Sequence, residues 1–516
     1  MLFNSYFFIL VFLPITLLVF FALGQKGQQR LALVWMVFAS LFFYGWWNPA
    51  NLALIMTSIL FNYAIGTILS ADRRHHAIRK GAFVFGITAN LGVLAYYKYA
   101  NFFLESLNVA LGSGYTLIEI ILPLGISFFT FTQIAFLVDA YRGEVKEYNF
   151  LHYALFVTYF PHLIAGPVLH HKEMMPQFGQ ASIFRFDAVN FSAGLTYFVL
   201  GLFKKVIVAD GIASFVGPVF TVASKGLPLL SMDAWGGALS YSFQLYFDFS
   251  GYSDMAIGLA LMMGLRLPLN FNSPYKAVNI IEFWRRWHMT LSRFLRDYLY
   301  ISLGGNKKGE IRRYAHLMIT MLLGGLWHGA GWTFVIWGGL HGFYLIVNHG
   351  WQAIRRGFGH DLTVTTWWGR GLSTLLTFLA VNVGWVYFRS NNIDTAHHIL
   401  KSMATIPEFR LSSFYSERVS NSALAHWAGL AGLETSAELM LVFAIAMLAA
   451  IAFFAPNTQE IMGRYYWQPR GCPERVPSTI NGLWSPSLLW ACFISVAATW
   501  SVLELTQLSE FLYFQF

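Results

Sequence analysis

The chain has 516 residues, 56% of them hydrophobic, 18% aromatic and 11% charged, with a formal net charge of +9. Soluble domains carry about 25% charged residues. With apolar runs recurring almost to the C-terminus, the composition excludes an ordinary soluble enzyme and predicts a single membrane domain over 1–516. The basic residues sit in short clusters between apolar runs, which marks cytoplasmic loops and gives no nucleic-acid signal.

A crossing takes about 20 apolar residues. In chain order the runs are Tyr6–Leu23, Leu31–Trp47, Leu52–Leu69, Ala82–Phe103, Leu117–Ala140, Phe191–Val208, Trp235–Met263, His316–Trp327, Thr333–Ile346, Leu372–Phe388, Leu439–Phe454 and Leu483–Val502. The first lacks a basic leader and exceeds a secretory core in length, so it reads as an uncleaved span. His316–Trp327 is short, and Tyr153–Val168 is interrupted by Pro161, Gly166 and Pro167. Broken helices at membrane depth are tolerated where they line a cavity. The reading is all-α and polytopic, with about 11–13 transmembrane helices plus re-entrant and interfacial helices around a central tunnel.

Lys26 and Arg30 follow the first run, and Arg73, Arg74, Arg79 and Lys80 follow the third, while the loop after the second, Asn48–Asn51, is uncharged. Arg355, Arg356 and Arg370, then Arg464, Arg470 and Arg475, continue the alternation. Both termini are therefore expected outside, with residues 389–435 the longest outer connection. Cys472 and Cys492 fit neither a metal site nor a disulfide framework and read as structural thiols. The pairs His75/His76, His170/His171 and His397/His398 read as interfacial, and His162 as structural. There is no His-Glu-x-x-His motif, phosphate loop or dinucleotide fingerprint, so no bound metal or cofactor is expected.

Residues 284–298 read as one amphipathic helix. At about 100° per residue, Arg285, Arg286, Arg293 and Arg296 share one arc, Trp284, Trp287, Leu291, Phe294, Leu295 and Tyr298 share the other, and His288 and Ser292 lie between. Such a cationic face suits either lipid headgroups or the phosphates of a donor such as a CoA ester.

His328 sits in Leu322-Leu-Gly-Gly-Leu-Trp-His-Gly-Ala-Gly-Trp332, an apolar, glycine-rich run. An ionisable group at membrane depth is a functional candidate. A neutral imidazole takes a proton from a hydroxyl as it attacks a thioester. The other reading is a hydrogen-bonded histidine that locks two helices. The glycine flanks, His288 and the basic segment favour catalysis, with Trp327 beside the donor. Gln244–Asp254 interrupts a long apolar run with Asp248, Ser250, Tyr252, Ser253 and Asp254, a buried network able to orient a histidine or hold an arginine.

These segments resemble the membrane-bound O-acyltransferase family, most of all its bacterial alginate O-acetylation group. The resemblance rests on Leu122–Phe128, Phe160–Pro167, Leu245–Gly258, Phe283–His288, Leu295–Gly305 and Leu323–Gly329, in the family's order, with short stretches at Met1–Ser5 and Phe514–Phe516. It implies a motif-dense core over about 120–345 and less specific helices over 370–516 around a tunnel, with His328 the family's near-universal histidine and His288 its second polar position. It further implies acetyl-CoA as donor, a bacterial inner-membrane location (in which the outside termini expected from the charge pattern are periplasmic), a serine-hydrolase-like periplasmic partner and the exopolysaccharide machinery. The acceptor that the resemblance implies is an exopolysaccharide such as alginate, with cellulose and peptidoglycan as alternatives by the same chemistry. A transporter of a lipid-linked substrate and a scaffold for a polysaccharide synthase are the readings from other classes.

Overall fold

A computed structural model describes residues 1–70, 76–145, 149–307, 309–362, 366–406, 409–420, 436–463, 465, 483–505 and 511–512. Their regular structure is helical throughout, as the composition predicts. Arg73, Arg74, His75, Arg464, Arg470, Cys472, Arg475, the stretch 421–435 and Phe514–Phe516 lie outside the described residues. The chain clusters into two compact units. The first is Met1–Phe203 with Gly251–Leu269 and Thr458–Gln515; the second is chiefly Lys204–Ser250 with Asn270–Asn457.

The first unit opens with α1 (Leu13–Gln25), α2 (Gln29–Gly45), α3 (Ala50–Ser70), α4 (His76–Leu94), α5 (Ala100–Leu111) and α6 (Ile126–Arg142). It continues with α7 (Phe150–Thr158), α8 (Phe160–Leu163), α9 (His171–Phe178) and α10 (Ala188–Phe203). Large apolar side chains point outward, Leu18 at 70% exposure among them, as lipid-facing helices require. Polar groups pair internally, since lipid offers them no partner. Asn62 and Asn90 exchange amide hydrogen bonds of 3.1 and 2.7 Å between α3 and α4. Gln133 on α6 donates to Ser58 and accepts from Tyr153. His171 lies 3.2 Å from Asp139.

The run Leu117–Ala140 is not one span. Residues 113–125 are non-helical, and α6 begins only after Pro123 and Gly125, whose φ of 70° is left-handed. The Asn101 and Asn108 side chains on α5 satisfy backbone groups of Ile118 and Tyr115 in this non-helical stretch. The break in Tyr153–Val168 does form: α7 stops at Thr158, and His162 Nε2 bonds the Phe156 carbonyl.

The second unit carries α11 (Asp210–Ala213), α12 (Gly217–Ser224) and the first part of α13 (Ser231–Met262). It then carries α14 (Ile280–Arg286), α15 (Met289–Phe294), α16 (Ile301–Leu303), α17 (Glu310–His328) and α18 (Trp332–Gly357). α19 (Trp367–Arg389), α20 (Ile393–Met403), α21 (Ser413–Ser420) and α22 (Ala437–Phe454) complete it. The chain then returns to the first unit with α23 (Thr458–Ile461) and α24 (Leu488–Leu503). There Val199 on α10 packs against Ile494 and Ala497 on α24, and Tyr6 donates to the Val502 carbonyl at 2.9 Å.

Six helical stretches among the described residues are long and apolar enough to cross a membrane: Phe8–Gln25, Ala50–Ser70, His76–Leu111, Ala188–Ala213, Trp367–Arg389 and Ala437–Phe454. Gln29–Gly45 and Leu488–Leu503 are shorter apolar helices. The protein is therefore a multi-pass membrane protein. Six is fewer than the sequence count because α13, α17 and α18, though long, carry polar residues and glycines that dilute their apolar runs.

Candidate active site

The segment read as one helix over 284–298 is broken in two. α14 ends at Arg286, α15 starts at Met289, and residues 295–300 are π-helical. The continuous arginine arc therefore does not exist. The hinge is His288, whose φ of 42° is left-handed. A non-glycine residue held there costs about 1–3 kcal/mol and persists only when its surroundings fix it. The fixing elements are visible. Asn279 caps α14 by accepting from Glu282 N, and Glu282 reaches back to Val278 N, a reciprocal cap. The non-helical residues 270–272 then run beside the break: Asn272 N donates to the Arg286 carbonyl and Met289 N to the Asn270 carbonyl, both at 2.9 Å.

His288 is fully buried, with its Nδ1 3.0 Å from Asn270 Oδ1. It lies in none of the six apolar spans, and burial pushes its imidazole down to about 3, so it is neutral at physiological pH. Phe249 on α13 meets the ring edge-on at 4.8 Å between centroids.

His328 ends α17 and is 6% exposed. Its ring centroid lies 6.5 Å from that of His288, with Trp327 4.9 Å from His328 and 6.3 Å from His288. Trp337 and Phe388 meet it edge-on at 5.0 and 5.2 Å. The glycines before it make this placement possible. A Cβ on Gly325 would strike the Phe334 carbonyl, and one on Gly338 the Met321 carbonyl, so α17 and α18 meet backbone to backbone. Gly329 and Gly331 then flank the turn into α18, and a Cβ on Gly329 would strike the Phe334 ring.

The other sequence-selected residues divide. Arg286 is committed to Glu282, at 2.7 and 2.9 Å, and to the Asn272 carbonyl. Arg285 is exposed and Arg293 half-buried. Ser292 Oγ donates to the Trp287 carbonyl, and its amide to the His288 carbonyl. Asp248 is 2.8 Å from Lys205 Nζ, which also bonds Asp210 at 2.8 Å; Ser250 is buried nearby in sequence. Tyr252 and Asp254 belong to the first unit, where Tyr252 stacks on Phe3 and Asp254 accepts from Thr458 and Gln459. The five-residue network expected from the sequence is thus split between the two units.

Two polar residues escaped the sequence reading. Asn270 had no local signal. His341 had one: Gly338-Gly-Leu-His-Gly342 repeats the glycine setting of His328. It is fully buried between Trp284 at 5.2 Å and Trp337 at 4.8 Å. No group of three metal-binding side chains occurs among the described residues.

This arrangement, two buried histidines in an aromatic enclosure, coincides with a family match. Residues 41–388 match the model of the membrane-bound O-acyltransferase family. The chain belongs to that family. Among similar proteins, the peptidoglycan O-acetyltransferase of Helicobacter pylori is 43% identical over 458 residues, covering 83% of this chain and 85% of that one. The probable alginate O-acetylase AlgI of Pseudomonas putida is 40% identical over 528 residues and that of Pseudomonas aeruginosa 38% over 553, each covering both chains completely. The teichoic acid D-alanyltransferase of Streptococcus thermophilus is 28% identical over 51% of this chain. As a membrane-bound O-acyltransferase, the protein is an acyltransferase, and His288 and His328 both fall inside the matched segment.

Proposed function

We propose that the protein takes acetyl from acetyl-CoA on the cytoplasmic side of the inner membrane and passes it outward for O-acetylation of an exopolysaccharide of the alginate type. The observation that carries this is the pairing of His288 with His328, 6.5 Å apart, in one buried aromatic site. End-to-end similarity to proteins named alginate O-acetylases supports the acetyl group and the acceptor class. The similarity to a peptidoglycan O-acetyltransferase supports peptidoglycan as the second choice.

In this reading His328 is the general base. Its imidazole removes the proton of the acceptor hydroxyl as that oxygen attacks the acetyl carbonyl. The carbon–sulfur bond breaks, and the CoA thiolate leaves and takes up a proton. His288 either polarises the carbonyl or carries the acetyl onward. Arg285 and Arg293 attract the donor phosphates, Trp327 packs beside the acyl thioester, and Arg286 supports α14 through Glu282. Donor and acceptor reach the histidines by a tunnel through a single catalytic domain whose termini face the periplasm. A serine-hydrolase-like periplasmic partner completes delivery to the glycan.

The test is His328→Ala, with polysaccharide acetyl content measured beside the membrane level of the protein. A positioned base contributes about 100- to 10,000-fold, so acetylation should fall to background at unchanged expression. Wild-type acetylation refutes the assigned role. Purified protein given labelled acetyl-CoA and its partners should release free CoA; a transporter would move substrate without cleaving the thioester.

A further inference from the structure

We infer that Asn270 is a positioning residue: its side-chain carbonyl holds the His288 imidazole in the Nδ1–H tautomer, which makes Nε2 the lone-pair nitrogen. The argument starts from the amide orientation. Asn270 Oδ1 lies 3.4 Å from the backbone N–H of Thr290 and 2.9 Å from Thr290 Oγ1. A backbone N–H only donates, so the amide atom facing it is the oxygen; the flipped amide would set donor against donor. The same oxygen is 3.0 Å from His288 Nδ1. An oxygen acceptor requires Nδ1 to carry the proton, and a neutral ring carries only one.

The backbone of Asn270 holds the same segment, because its carbonyl accepts from Met289 N. Asn270 therefore fixes both the left-handed turn at His288 and the proton on its ring. This inference rests on the proposed acyl transfer and narrows it. A neutral imidazole with its proton on Nδ1 has no Nε2–H to donate to a thioester carbonyl. Its Nε2 accepts, either a proton or the acetyl carbon. Of the two roles left to His288, polarising the carbonyl through Nε2–H is excluded, and carrying the acetyl through the Nε2 lone pair stands. In that step Nε2 bonds the carbonyl carbon as the thiolate leaves. The acceptor oxygen then takes the acetyl, gives its proton to His328, and regenerates the ring.

The experiment uses the full chain in lipid nanodiscs with ¹⁵N-labelled histidine, the His288 signals assigned by their loss in His288→Asn. The wild type should show a protonated Nδ1 and an unprotonated Nε2. Asn270→Asp keeps an oxygen acceptor and should keep that pattern with CoA release close to wild type. Asn270→Leu should give mixed tautomers and a kcat lower by about 100-fold, with the KM for acetyl-CoA nearly unchanged. A protonated Nε2 in the wild type, or an unchanged tautomer and kcat in Asn270→Leu, overturns the inference. Failure of the proposed function is separable: full CoA release by His288→Asn and His328→Ala refutes that function, while the wild-type tautomer still decides the assignment of Asn270.

Discussion

At the scale of single residues, a steep cost in the second unit is carried by Lys205. The residue is 1% exposed, and its ammonium sits 2.8 Å from both Asp210 and Asp248. Removing one partner from a buried pair leaves an uncompensated charge and costs about 3–5 kcal/mol. Lys205→Met should therefore lower the melting temperature in detergent sharply. The double variant Lys205→Met/Asp248→Leu should recover much of that loss, because Asp210 is partly hydrated. Equal destabilisation of the single and double variants would mean that the charges are not coupled. Residue-scale legibility follows from how local each signal is. His328 was readable because its glycines surround it in sequence; His341 carries the same glycine signal and was passed over. Asn270 was not, since it acts on a ring 18 residues away.

At the scale of elements, the α17–α18 hairpin sets the position of His328. Gly325 and Gly338 let the two backbones touch, and overpacking such a contact costs about 1–3 kcal/mol. Gly338→Val should lower thermal stability and acetyl transfer together, whereas Gly350→Ala, in the same helix with open space around it, should change neither. Activity retained in full by Gly338→Val would mean that the hairpin does not place the histidine. The helical content and most apolar spans followed from hydropathy alone. The basic helix did not, because periodicity assumes a continuous helix, and a left-handed histidine imposed by the neighbouring 270–272 segment leaves no mark in the local pattern. The break at Pro123 and Gly125 was written in the sequence, yet the apolar residues around it outweighed two small punctuation signals.

At the scale of the whole molecule, the alternation of basic loops predicts an orientation with both termini outside. With Cys472 and Cys492 replaced by serine, a single cysteine at Asn48 should react with an impermeant maleimide on intact spheroplasts. One at Gly359 should react only after the membrane is opened. The reverse labelling would invert the topology and place the donor site on the wrong side. The pairing of early and late segments also bears on biogenesis. The face of α10 near Val199 is covered by α24, and the N-terminal Tyr6 bonds Val502. In synthesis, 295 residues separate Val199 from Ile494. The first helices to leave the ribosome must therefore wait, half-packed in the bilayer, for the last. A chain stopped before residue 458 should be inserted but fail quality control, and pulse-chase turnover by membrane proteases is where that delay would register.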